Sequence, residues 1–74
     1  MKLTQTTVTH VRGEKETDVK DLVTPVLTRE NWVEYVDTLV QKVDEDVSVE
    51  DRVLTKNKVS YYGEEIDYHF RIWF

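Results

Sequence analysis

Between Thr28 and Val43 the apolar residues fall at helical spacing. Placed at 100° per residue, Trp32, Val33, Val36, Leu39, Val40 and Val43 lie within one arc of about 120°, with Tyr35 at its edge. Glu30, Glu34, Asp37 and Gln41 take the far side, and Asp44 continues that line if the helix runs on. Thr28 suits an N-cap, since its hydroxyl can accept from an early backbone N–H, and Glu30 and Lys42 suit the positive and negative ends of the helix dipole. The spacing predicts a helix over 28–43. The charges of Asp44-Glu45-Asp46 would oppose the dipole, so they are expected beyond its end.

The period changes to two in the last ten residues. Ile66, Tyr68, Phe70, Ile72 and Phe74 alternate with Asp67, His69, Arg71 and Trp73, which predicts a strand over 65–74 with the first set buried. Val59 to Tyr62 is rich in strand-forming residues, Gly63-Glu64 offers a turn, and a further strand at 52–55 can join through Lys56-Asn57. The C-terminal half therefore reads as an antiparallel meander. Thr4 to Val11 reads as another strand, followed by a turn at Arg12-Gly13-Glu14-Lys15. Over 16–23 a second strand closing an N-terminal hairpin is favoured, and the alternative is a short helix ending before Pro25. The expected fold is α+β, a small antiparallel sheet of three to five strands with one amphipathic helix packed on one face.

Seventy-four residues make one domain, 1–74, with too little core to spare for a deep catalytic cleft. There are no cysteines, so neither disulfides nor thiolate metal sites are expected. The first residues lack the apolar run of a signal peptide and no run is long enough to span a bilayer, so a cytoplasmic protein is expected. Net charge is −5 and unevenly spread: +2 over residues 1–13, −8 over 14–51 and +1 over 52–74. An acidic protein repels phosphate backbones, which argues against direct nucleic-acid binding.

Candidate chemistry is sparse. Ser48 and Ser60 lack glycine-flanked elbows, and Gly13 and Gly63 each sit where a turn wants one, so no phosphate loop is present. His10 and His69 could join a carboxylate on a metal, but the blander reading is two strand residues on solvated faces. The run Asp44 to Asp51 is rich in acids, yet it lacks the central glycine and alternating ligands of a calcium loop, and Val47 and Val49 are expected to point inward. No enzymatic activity, cofactor or metal is expected.

Two binding surfaces can be drawn. Glu30, Glu34 and Asp37 stand about 5–6 Å apart along the helix, and with Asp44, Glu45 and Asp46 they would form a carboxylate strip able to mimic a nucleic-acid backbone on a basic surface. The blander reading is a solvated helix face. The second surface is aromatic, because six of the eight aromatics fall in the last 14 residues. Trp73 shares a face with Arg71 and His69, residue types that dominate interfaces. If that strand were a sheet edge, it could also pair with a second copy. Small, cysteine-free and acidic in its middle, the chain resembles in character the small inhibitors encoded by phages and other mobile elements. The leading expectation is a non-enzymatic inhibitor or adaptor docking its acidic strip on a larger protein. The alternative is an assembly module self-associating through its C-terminal strand.

Overall fold

The computed structural model describes all residues, Met1 to Phe74. In chain order its elements are β1 (Lys2–Val11), β2 (Glu14–Leu22), α1 (Trp32–Val43), a single 3-10 turn (Val49–Asp51), β3 (Val53–Leu54), β4 (Lys58–Tyr62) and β5 (Ile66–Trp73). The strands form one antiparallel sheet in the order β2-β1-β5-β4-β3, with α1 on one face. The expected α+β architecture is present.

Local chemistry sets the element boundaries. Arg12 (φ 53°) and Gly13 (φ 80°) both occupy the left-handed region, which makes a two-residue hairpin turn whose twist matches that of the strands. The turn is thus tighter than expected, and β2 begins at Glu14, two residues early. It is a strand to Leu22, so the helical alternative is excluded. At Gly63 an added Cβ would lie 2.6 Å from the Ile66 carbonyl oxygen, which accepts the Gly63 N–H at 3.0 Å; this close return between β4 and β5 requires glycine.

The regular helix starts four residues later than expected, yet Thr28 still organises its entry. The Thr28 hydroxyl accepts from the Asn31 N–H (3.2 Å) while Asn31 Oδ1 accepts from the Thr28 N–H (2.7 Å), a reciprocal cap on the preceding turn. β3 shrinks to two residues. Arg52 is drawn off to cap the 3-10 turn, donating to the Val49 carbonyl at 2.8 Å, and Thr55 closes a turn onto Lys58.

The core lies between α1 and the inward residues of β1, β4 and β5. Trp32, Val36 and Val40 meet Leu3, Val59, Tyr61, Tyr68, Phe70 and Ile72, while Leu27 and Val47 close the two ends of the helix layer. Two expected core residues are outside it. Val43, in the last turn of the helix, is 61% exposed, and Phe74 lies past the last ladder pair with its ring under the Arg29 guanidinium (4.8 Å). Val47 is buried and Val49 packs against the core, as their spacing implied.

A larger correction concerns the C-terminal strand. β5 is the centre of the sheet, paired with β1 from Lys2↔Trp73 to Thr9↔Ile66 and with β4 from Lys58↔Arg71 to Tyr62↔Asp67. It is not an edge, so its backbone is not free to pair with another chain. The edges are β2, nine residues long, and β3, two residues long.

Candidate functional site

The carboxylate strip expected along the helix does not survive packing. Asp37 sits on the flank next to Val33 and Val40 rather than on the far side, and it accepts a hydrogen bond from the Tyr61 hydroxyl. Its other oxygen is 3.6 Å from Arg52 Nη1, and its side chain is only 20% exposed. Asp44 accepts from the Tyr68 hydroxyl at 3.3 Å and from the Asp46 N–H at 3.2 Å. Both aspartates therefore serve the fold: they satisfy phenols whose rings lie in the core and whose hydroxyls would otherwise be unpaired. Burial is the first cause that raises the pKa of Tyr61. The hydrogen bond and charge of Asp37 add to it, and Arg52 opposes it. Tyr68 is raised by burial first and then by Asp44.

What is left of the strip is two separate groups. Glu30 and Glu34 are exposed near the helix start, whereas Glu45 and Asp46 are exposed beyond its end. At that far end Asp44 and Asp46 line one shallow depression with Glu64 and Glu65 from the β4–β5 turn. No three His, Asp or Glu side chains anywhere in the molecule approach closely enough to hold a metal ion.

Arg71 and Trp73 fare differently. Both are exposed on the sheet face that α1 leaves open, and the ladder gathers neighbours around them. Lys2 of β1 is opposite Trp73, and Lys58 of β4 is opposite Arg71. The Arg71 guanidinium lies 4.9 Å from the centre of the Trp73 ring and the Lys2 ammonium 5.5 Å, both in cation–π range. Lys2 is also 3.7 Å from Asp21, which anchors it at the β2 side of the face.

The same face holds both histidines, His69 in its middle and His10 at the end of β1 beside the hairpin turn. His10 Nε2–H donates to Asp67 at 2.8 Å, and His69 Nδ1 shares a 2.7 Å hydrogen bond with Ser60 Oγ. Tyr62, 56% exposed, stands edge-on to the His69 ring. A serine, two histidines and an aspartate thus share one surface, but as two separate pairs: Asp67 orients His10, and His69 faces Ser60. This is not the relay in which one histidine bridges nucleophile and carboxylate.

Charge divides between the two sides. By register the open face carries Lys2, Lys15, Lys58 and Arg71 against Asp21 and Asp67, a balance of +2. The chain totals −5, so the remainder of the molecule holds −7. Lys2, Lys58 and the two polar pairs are not picked out by the sequence expectations, although a signal for them exists. Lys2, Thr4, Thr6, Val8 and His10 alternate with Leu3 and Gln5, and that places them on one face. Which strand they sit beside is set by pairings between opposite ends of the chain, from Lys2↔Trp73 to Thr9↔Ile66. No helix is long and apolar enough to cross a membrane. No protein-family model, curated protein or solved structure matches this chain, so its function has to be read from these surfaces.

Proposed function

We propose that this chain is a non-enzymatic protein-binding module, an inhibitor or adaptor that docks its open sheet face on an acidic patch of a larger protein. The observation that carries this reading is the group formed by Lys2 and Arg71 on the exposed Trp73 ring, with Lys58 beside Arg71, on a net-positive face of an acidic molecule. An aromatic flanked by cations supplies both the desolvated anchor and the charge complementarity that fix an interface. A nucleic-acid strand is a poorer partner. Backbone binders typically neutralise about six to ten phosphates, whereas this face offers four cations set against two carboxylates, backed by −7 elsewhere. What supports a binding rather than a catalytic reading is that the polar groups are divided, Asp67 with His10 and Ser60 with His69, so that neither histidine joins a hydroxyl to a carboxylate.

A second reading keeps the acidic docking surface but moves it. Asp44, Glu45, Asp46, Glu64 and Glu65 gather where the helix exit meets the β4–β5 turn, a surface suited to a basic partner. Glu30 and Glu34 lie apart from it.

Three immobilised baits separate the two readings: the wild type, Arg71→Glu/Trp73→Ala, and Glu45→Lys/Asp46→Lys, each checked for the wild-type circular dichroism spectrum. Lysate is applied at low salt and eluted with rising salt. The expected result is a protein of acidic surface held by the wild type and by the Glu45/Asp46 variant, and lost from the Arg71/Trp73 variant. Undiminished capture by the Arg71/Trp73 variant would overturn the leading reading, and loss of capture by the Glu45/Asp46 variant alone would establish the second.

A further inference from the structure

The only long free edge of the sheet is β2, and its sequence is complementary to itself. The direction of its free hydrogen bonds follows from the ladder. The His10 N–H donates towards β5, to the Glu65 carbonyl at 2.7 Å, so the even residues of β1 bond β5 and the odd ones bond β2. In the observed register odd residues of β1 face even residues of β2, as in Thr7↔Asp18. The N–H and C=O groups of Lys15, Thr17, Val19 and Asp21 therefore point away from the sheet, unpaired. Residues 14–21 are all exposed.

Edges of this length are commonly blocked by charge, and six of these nine residues are charged. The order of the charges matters more than their number. Laid antiparallel on a second copy about Asp18, the strand pairs Lys15 with Asp21, Glu16 with Lys20 and Thr17 with Val19, each twice by symmetry. Four contacts join opposite charges and one, Asp18 with itself, joins like charges. Odd residues meet odd residues, which the free hydrogen-bonding groups require. Cross-strand pairs of opposite sign stabilise such a ladder and like pairs oppose it.

We infer that β2 is a self-recognition edge, and that two copies join through it, antiparallel and centred on Asp18, into one ten-stranded sheet. Side chains paired across the join lie on the same side, so the open faces of the two copies run together. The joined surface would present two Arg71/Trp73 groups and favour a divalent partner. The inference does not depend on the binding reading above, because it uses only the edge.

Two experiments on the full chain test it. Sedimentation velocity over a concentration series is expected to show a reversible dimer. Glu16→Lys or Lys20→Glu alone places like charges opposite one another twice and should weaken the dimer by about ten-fold or more, while the double variant should return to within about three-fold of wild type. Within one chain the two side chains face neutral Thr9 and Gln5 on β1, so only a contact between copies can produce that rescue. The chain has no cysteine, so single cysteines report the register. Asp18→Cys should form a covalent dimer on mild oxidation, whereas Glu16→Cys or Lys20→Cys alone should not. A wild type that stays monomeric at the highest concentration, a double variant no better than the singles, or cross-linking through position 16 or 20 in preference to 18 would each overturn the inference.

Discussion

The two faces of the sheet are made by the same strands and have little else in common. On β5, Tyr68, Phe70 and Ile72 point into a core closed by α1, while Asp67, His69, Arg71 and Trp73 point out to ladders of small polar pairs and cations. Neighbouring residues, a single position apart, thus perform separable tasks. The covered face supplies apolar burial, about 25 cal/mol per Å² removed from water. The open face supplies half-exposed hydrogen bonds and ion pairs, each worth about 1 kcal/mol or less. A domain of this size has little stability in reserve, so the covered face admits few changes, while the open face is free to be composed for a partner.

The largest test of this division is to remove one ring from each face. Phe70→Ala should cost about 3–5 kcal/mol, enough to unfold much of the population, whereas Trp73→Ala should cost under about 1 kcal/mol. Urea unfolding followed by circular dichroism measures both, and equal losses would break the comparison.

Next come the phenols at the border of the core. Tyr61→Phe leaves Asp37 with Arg52 alone and should cost about 1–2 kcal/mol. Burial with an aspartate partner raises the pKa of both Tyr61 and Tyr68, so the folded state holds their protons longer than the unfolded chain does. The stability tied to these protons is complete below the unfolded phenol value of 10.0. It is lost as pH climbs from there towards the raised folded values, at up to about 1.4 kcal/mol per pH unit for each tyrosine. Unfolding measured at pH 8, 10 and 11 should show that decline in the wild type and a shallower one in Tyr61→Phe/Tyr68→Phe. Equal slopes would mean that the two phenols are not held as described.

The smallest effect belongs to the open face. Asp67→Asn removes the charge from the His10 pair and should change stability by less than about 1 kcal/mol at neutral pH. A larger loss, read from the same urea curves, would show that this face contributes to the fold as well as to binding.

Much of the architecture was legible because it is written at short range. Helical spacing from Trp32 to Val40 and alternation from Ile66 to Ile72 state which side of each element is buried, and the Gly13 and Gly63 turns state where the chain reverses. The errors fall at element ends. The pattern assigned Val43 and Phe74 to the core, but periodicity cannot say where the covering layer stops. The site was harder to read. Arg71 and Trp73 stood out by residue type, and their placement on a face opposite the core followed from alternation. Asp37 falls only about 40° from Val33 on a helical wheel, at the flank of the apolar arc, but the wheel takes no account of the strand that lies beside that flank. Tyr61 and Tyr68 bring hydroxyls to the helix flank, and a buried phenol with no partner is costly enough to claim any carboxylate within reach.

The sequence by itself determined the elements, the buried side of each, the tight turns and the uneven spread of charge, since all of these depend on residues a few positions apart. Only the tertiary structure decided that β5 lies between β1 and β4. That placement makes β2 the long free edge, gathers Lys2, Lys58, Arg71 and Trp73 into one group, and ties Asp37 and Asp44 to the phenols of Tyr61 and Tyr68. The physical reason is that strand order is a choice among distant pairings, made by which arrangement buries the most apolar surface while giving partners to the phenols and backbone groups buried with it. No local pattern contains that sum.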